Sequence, residues 1–206
     1  MSCATAIKSG DTVYVGADSR FWYNTVSTLK ENQSKVWKMK DFSIIFAVCG
    51  HLVDGNIISM SDGVIDERYK EKTIEFKDAV NIITPNIMSL LEQRGRIEYH
   101  SGIKKMQSDF LLAHRDRLFL ISMESCVIEP DDDYIAIGSG QAVADGAFEA
   151  IKDDAKFNPQ QKLVKILAAV CSKDAWVGYP VRIINTRNDD IIIIKNEEEA
   201  KKFLNI

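Results

Sequence analysis

Ser2 follows the first methionine of this 206-residue chain, and its position makes it a candidate nucleophile. A serine alcohol reacts slowly at neutral pH unless a base lies beside it. Removal of Met1 would place a hydroxyl and a free α-amine on one residue, and such an amine has a pKa of roughly 7.7–8. The amine can then serve as the base. Because many proteins begin with Met-Ser, the pair needs support from the residues that follow.

Five later positions could supply that support. Asp18 ends an alternating apolar segment, Lys35 opens a later strand, and Gly50 ends a long apolar run. Ser139 lies in a Gly-Ser-Gly turn, and Asp174 follows a helix. A cation near a serine favours its alkoxide, and a glycine N–H can approach an oxyanion closely. Each residue also has an ordinary structural explanation, such as a polar strand end or an exposed lysine.

The elements that must position these residues are predicted from apolar periodicity and turn signals. The predicted strands cover 3–7, 12–18, 35–39, 42–49, 110–114, 118–123, 134–137, 181–185 and 191–194. The first two form a hairpin around a turn at 9–11, and Lys40-Asp41 is predicted to turn into the run 42–49. We expect these four early strands to form one antiparallel sheet, and the run 42–49 to be covered on both faces.

Helical spacing follows each group of strands. Helices are predicted within 52–64, at 78–94 with a kink at Pro85, and at 142–151. Another helix begins at Pro159, because Asn158 and Gln161 form a capping-box pattern ahead of an apolar stripe. The charged segment 196–202 is predicted to be a solvated last helix. This order predicts one α+β domain over 1–206, a four-layer α-β-β-α sandwich of two antiparallel sheets between helix layers.

Composition narrows the class of protein. The net charge is −4 with both signs well mixed, which argues against nucleic acid and anionic membranes as partners. No segment has the pattern of a signal peptide or the length of a membrane span. The cysteines at 3, 49, 126 and 171 are scattered in apolar surroundings. We therefore expect reduced thiols, a cytoplasmic location, no metal site and no cofactor.

Taken in order, these motifs resemble those of proteasome β-type subunits and their bacterial HslV-like relatives, which are N-terminal nucleophile hydrolases. The resemblance spans nearly the whole chain. In that family an aspartate follows the nucleophile at a fixed interval. Counted back from Asp18, that interval ends at Ser2 and not at Cys3.

The resemblance implies a role for each of the other positions. Lys35 would lie beside the nucleophile as a cation, oriented by Asp18 and Asp174. The Gly50 N–H would bind the oxyanion, and Ser139 would support the amine. Removal of Met1 would be the only maturation step.

The resemblance also implies peptide or protein substrates and self-association into rings of six or seven copies. It specifies neither a natural substrate nor a regulatory ATPase. Phe21, Trp37 and Val48 are predicted to contact the substrate side chain, which indicates an apolar preference. His51, after the predicted oxyanion glycine, is interpreted as a surface histidine.

Two departures from the family pattern leave alternatives open. The usual threonine nucleophile is serine here, and Val177 replaces a serine that normally follows the second aspartate. A catalytically inactive ring subunit and a small-molecule amidase on the same fold are therefore the competing interpretations.

Overall fold

A computed structural model describes residues 2–23, 25–29, 33–39 and 41–206. Met1 lies outside these ranges. Lys40, the first residue of the predicted turn at 40–41, also lies outside them. The strands are β1 Cys3–Ser9, β2 Thr12–Asp18, β3 Arg20–Tyr23, β4 Thr25–Thr28, β5 Val36–Lys38, β6 Ile44–Gly50, β7 Glu98–His100, β8 Ile103–Lys105, β9 Ser108–His114, β10 Arg117–Ile121, β11 Val127–Ile128, β12 Tyr134–Gly138, β13 Val181–Asn185 and β14 Ile192–Ile194. The α-helices are α1 Leu52–Ser59, α2 Phe76–Asp78, α3 Thr84–Gln93, α4 Gln141–Glu149, α5 Pro159–Lys173 and α6 Glu197–Leu204.

Two five-stranded antiparallel sheets form the centre of the fold. The first sheet has the order β12-β1-β2-β13-β14, and the second has the order β11-β10-β9-β6-β5. Small apolar side chains, including Ala4, Ala17, Ala47 and Ala113, fill the space between the sheets. Helices α4, α5 and α6 cover the outer face of the first sheet, and α1 and α3 cover that of the second. The predicted α+β four-layer sandwich is confirmed.

Strand β6 shows why its apolar run is continuous. Ile44, Phe46 and Val48 pack under the helices, whereas the side chains between them pack against the first sheet. A strand covered on both faces has no reason to alternate between apolar and polar residues. The predicted two-sided burial of this run is confirmed.

The start of α5 has the predicted capping box. The Asn158 side chain accepts a hydrogen bond from the Gln161 N–H at 2.9 Å, and the Gln161 side chain accepts one from the Asn158 N–H at 3.1 Å. The apolar stripe of the helix is fully buried against the first sheet. Local capping and periodicity therefore define this helix, whose last residue lies next to Asp174.

The helix predicted at 78–94 is divided where its sequence predicts a kink. A π-helical turn, Ala79–Ile83, joins α2 to α3, and Pro85 lies in the first turn of α3. A proline in a first turn leaves fewer backbone acceptors without a donor than one in a helix interior. No helix within the described ranges is both long and apolar enough to span a membrane.

The sequence-based interpretation was wrong about the early strands. β1 and β2 belong to the first sheet, whereas β5 and β6 belong to the second, so the four do not form one sheet. Two short hairpins, β3–β4 and β7–β8, were also missed. They are separate two-stranded sheets, and β7 exposes all of its residues, so buried apolar alternation does not mark it.

A buried histidine joins the second sheet to the segment that leads into α2. The His114 side chain is 1% exposed, and its Nδ1 accepts a hydrogen bond from the Ile74 N–H at 3.1 Å. Burial lowers the pKa of His114 to about 4, assisted by Arg115 and opposed by Asp116. The imidazole is therefore neutral in the folded protein near neutral pH.

This histidine predicts an acid-sensitive fold. Since its pKa is lower in the folded than in the unfolded chain, its contribution to stability is complete above about pH 6.5 and is lost as the pH falls towards 4. We expect His114 to lower the free energy of unfolding by about 2 kcal/mol between about pH 7.5 and pH 5. Urea unfolding of the wild type and of His114→Gln at both pH values measures the effect. Equal losses in the two proteins would contradict the assignment.

Candidate active site

Strand register brings the predicted residues together. Cys3, the first residue of β1, pairs with Gly138, the last of β12, and β1 also pairs antiparallel with β2. The start of β1 therefore lies beside the ends of two strands that lead into Asp18 and Ser139. Ser2 occupies this position and is 4% exposed.

Asp18 and Lys35 form a buried ion pair at this point. The Lys35 Nζ lies 2.7 Å from Asp18 Oδ1, and the side chains are 4% and 0% exposed. The same carboxylate accepts backbone N–H bonds from Cys3 at 3.0 Å, Arg20 at 2.9 Å and Gly178 at 3.3 Å. Burial raises the pKa of the Asp18 carboxyl, and the Lys35 ammonium and backbone donors oppose that rise. Because these donors fill the hydrogen-bonding capacity of the carboxylate, it holds the lysine cation in a fixed place.

A second hydrogen-bonded group supports the nitrogen of Ser2. This nitrogen donates to Ser139 Oγ at 3.3 Å, and Ser139 Oγ donates to Asp174 Oδ2 at 2.8 Å. The other Asp174 oxygen accepts the Trp176 N–H at 2.8 Å. Because the Ser139 hydroxyl donates its only proton to the Asp174 carboxylate in a hydrogen bond, its lone pairs are available to accept the N–H of Ser2.

The expected contact between Asp174 and Lys35 is corrected by this geometry. Asp174 bonds to Ser139, whereas the Lys35 Nζ bonds to Asp18 and to the Arg20 carbonyl. The two aspartates thus act on different groups.

Gly50 ends β6 at the wall of a cleft. The cleft has a volume of about 370 Å³ and is lined by Ser2, Phe21, Trp22, Lys35, Val48, Gly50, His51, Leu52 and Gln107. Gly50 has a φ of 131°, and a Cβ there would lie 2.6 Å from the Gln107 carbonyl oxygen. Only glycine fits this backbone without strain. Gly50 and Ser2 therefore line one cavity, as a nucleophile and an oxyanion donor must.

Two of the three residues predicted to contact substrate line this cleft. Phe21 and Val48 are among its lining residues, but Trp37 is not. The Trp37 ring stacks on Phe46, with ring centroids 5.8 Å apart, on the helix-covered face of the second sheet. Trp22, which the sequence did not single out, lines the cleft instead.

Arg20 is a supporting residue that the sequence interpretation left without a role. Its Nη1 donates to the Ala175 carbonyl at 2.9 Å, and its guanidinium lies against Gly178. A Cβ on Gly178 would approach this guanidinium to 2.5 Å. The sequence feature that could have indicated this role is the arginine two residues after Asp18 together with a glycine four residues after Asp174. The contacts of Arg20 connect β3 to the loop that carries Asp174.

The cysteine next to Ser2 is unsuited to act as the nucleophile. Cys3 is fully buried and packs into the core beneath α5. Burial raises the pKa of its thiol well above the ordinary range, which suppresses the reactive thiolate. Val177, where the resemblance implies a serine, is also fully buried in this core.

Comparison with known proteins identifies the family of this chain. The family model described as proteasome subunit matches residues 2–175. An ATP-dependent protease subunit HslV from Caldicellulosiruptor saccharolyticus is 23% identical over 169 residues, covering 81% of this chain and 89% of the relative. HslV from Borrelia duttonii is 28% identical over 172 residues, covering 81% and 88%.

Solved structures share the fold at low identity. Anbu, an ancestral beta-subunit from Yersinia bercovieri, has a TM-score of 0.72 at 13% identity, covering 98% of this chain and 91% of that one. BPH from Thiobacillus denitrificans has a TM-score of 0.70 at 17% identity, covering 89% and 96%. The family match extends over most of the chain, so this protein belongs to the proteasome subunit family.

Proposed function

We propose that this chain is a protease subunit that cleaves peptide bonds with Ser2 as an N-terminal nucleophile. The observation that carries the proposal is the pair of supports around Ser2. A buried lysine cation lies on one side, and a serine–aspartate pair holds the nitrogen on the other. Ser2 and Lys35 line the same cleft as Gly50. The names of the HslV relatives, which are ATP-dependent protease subunits, support the same class of reaction.

The first step needs removal of Met1, which turns the Ser2 nitrogen into an amine. The Ser2 Oγ then attacks the substrate carbonyl carbon, and its proton passes to this amine, directly or through a water. The carbonyl π electrons move to the oxygen, and the Gly50 N–H donates to the resulting oxyanion. The ammonium returns the proton to the departing amine as the peptide C–N bond breaks. Water then hydrolyses the ester by the same route.

The surrounding charges favour this sequence. The Lys35 ammonium stabilises developing negative charge on Ser2 Oγ and opposes protonation of the nearby amine. Asp18 holds this ammonium in place. Ser139, held by Asp174, accepts an N–H from the amine and directs the amine lone pair towards Ser2 Oγ.

The cleft indicates the kind of side chain that the substrate presents. Phe21, Trp22 and Val48 supply an apolar wall, which favours an apolar residue beside the scissile bond. For the assembly, we infer that copies of the chain form a closed ring, as the resemblance to proteasome β-type subunits implies. We also infer that proteolysis depends on ATP, since the HslV relatives are named ATP-dependent protease subunits.

The nucleophile is tested with a peptide epoxyketone, which bonds to both the hydroxyl and the free amine of an N-terminal residue. Intact-mass spectrometry of the wild type should show loss of Met1 and addition of one probe molecule. Ser2→Ala should lose labelling and at least about 100-fold of peptidase activity, because it lacks the attacking oxygen. The same variant should keep its folded circular dichroism spectrum.

Cys3→Ala is the matched control, since it also removes one atom from a residue beside the site. It should be labelled like the wild type, because the Cys3 sulfur faces the helix-covered core. Retained Met1, or unchanged activity in Ser2→Ala, would favour the inactive ring subunit or another nucleophile.

If Ser139 and Asp174 orient the amine, removing either side chain should slow the reaction without weakening substrate binding. Ser139→Ala and Asp174→Asn should each lower kcat by about 10–100-fold, because the amine is no longer oriented towards Ser2 Oγ. KM should change little, since neither residue lines the cleft. Steady-state kinetics on a fluorogenic peptide with an apolar residue before the scissile bond measures both constants. Loss confined to KM would contradict the assigned role.

The ring predicts a discrete native mass. Native mass spectrometry at micromolar concentration should show six or seven copies of the 23.2 kDa chain, or twice that number for stacked rings. A monomer as the dominant species would contradict the proposed assembly.

A further inference from the structure

A buried polar network lies directly behind Gly50, outside the group that supports Ser2. The Ser108 Oγ accepts the His51 N–H at 2.9 Å and donates to Asp54 Oδ2 at 2.7 Å. The other Asp54 oxygen accepts from the Arg96 Nε at 2.8 Å. Ser108 and Asp54 are fully buried, and neither lines the cleft. These side chains therefore face the back of the cleft wall.

The network determines the backbone around Gly50. Gly50 pairs with Ser108 across β6 and β9, and an added Cβ would lie 2.8 Å from the Ser108 Cα. The next N–H, that of His51, is held by Ser108 Oγ. The strand contact on one side and this hydrogen bond on the other together limit rotation of Gly50. Because Gly50 has no side chain, few other contacts can define its φ of 131°.

The charge of Asp54 determines which groups donate and which accept in this network. A serine hydroxyl has one proton, and Asp54 accepts it at 2.7 Å. The Ser108 lone pairs are therefore available to the His51 N–H. Arg96 balances the buried carboxylate and keeps it in place, so the hydroxyl cannot easily turn its proton towards the backbone.

We propose that Asp54 and Ser108 are positioning residues that hold the Gly50 N–H in line with the oxyanion formed when Ser2 attacks. The inference rests on the proposed function and deepens it. An oxyanion donor acts only when its direction is fixed before the reaction, and small misplacements cost rate. Loss of the network should weaken binding of the tetrahedral state while leaving binding of the substrate unchanged.

The experiment compares two ligands of the same peptide sequence. A peptide boronate adds Ser2 Oγ to boron, passes the proton to the amine, and presents a negative tetrahedral centre to the oxyanion donor. The matching peptide amide binds without bond formation. In Ser108→Ala, we expect kcat to fall by about 10–100-fold, which is no more than the fall caused by removing an entire oxyanion donor. KM should stay within about twofold of the wild-type value. The boronate Kd should rise by the same factor and the amide Kd should not.

Thr186→Val is the matched control. Thr186 is also buried, and its hydroxyl accepts the Val13 N–H at 3.0 Å and donates to the Arg115 carbonyl at 2.6 Å, away from the cleft. Its loss should leave kcat and both Kd values within about twofold of the wild type. Asp54→Asn, which keeps the shape but removes the charge, should show the Ser108→Ala pattern at smaller size, and it decides the case if Ser108→Ala does not fold.

Three outcomes overturn the inference. They are an unchanged boronate Kd in Ser108→Ala or Asp54→Asn, an equal weakening of both ligands, and an equal loss in Thr186→Val. Failure of the proposed function looks different, because wild-type protein would then bind the boronate no better than the amide. That result overturns both proposals. If instead the wild type binds the boronate tightly and only Ser2→Ala abolishes this binding, Ser2 remains the nucleophile and the positioning role is rejected.

Discussion

The buried ion pair between Asp18 and Lys35 is the interaction on which the rest of the site depends. Asp18 comes from the first sheet, and Lys35 precedes an edge strand of the second. Moving two charges out of water costs several kcal/mol per ion, and their attraction offsets this cost only if their remaining hydrogen-bonding capacity is filled. The Asp18 carboxylate meets this requirement with donors from separate segments at Cys3, Arg20 and Gly178. Displacing any segment would leave a buried charge less well bonded, so one carboxylate fixes where these segments meet.

Close packing of the two sheets makes this pair geometrically possible. Small side chains such as Ala4, Ala17 and Ala47 lie between the sheets and keep the two layers close. Lys35, just before the edge strand of one sheet, can then reach a carboxylate of the other at 2.7 Å. The apolar interior also excludes water from the pair, which strengthens its electrostatic effect on Ser2.

Local signals were sufficient for much of the fold and insufficient for its long-range pairing. Periodicity and capping identified α5, because the Asn158 cap and the buried stripe act within one segment. No local feature of the sequence indicates that β5 and β6 pair in a different sheet from β1 and β2. Trp37 was misplaced for a related reason. Lys35 lies before β5 and is not bound by its alternation, so it can turn into the site while Trp37 faces the outer helices.

The resemblance supplied residue identities, and the structure supplies their partners. Since Asp174 bonds to Ser139 and Lys35 to Asp18, the proposed nucleophile has two separate supports and not one shared charge network. One support sets the electrostatic potential at the Ser2 oxygen, and the other sets the orientation of its nitrogen. A serine lacks the methyl group that restricts threonine rotamers, so its oxygen depends more on these neighbours for direction. Two separate supports would supply that direction to a serine acting in place of threonine, as the proposed function requires.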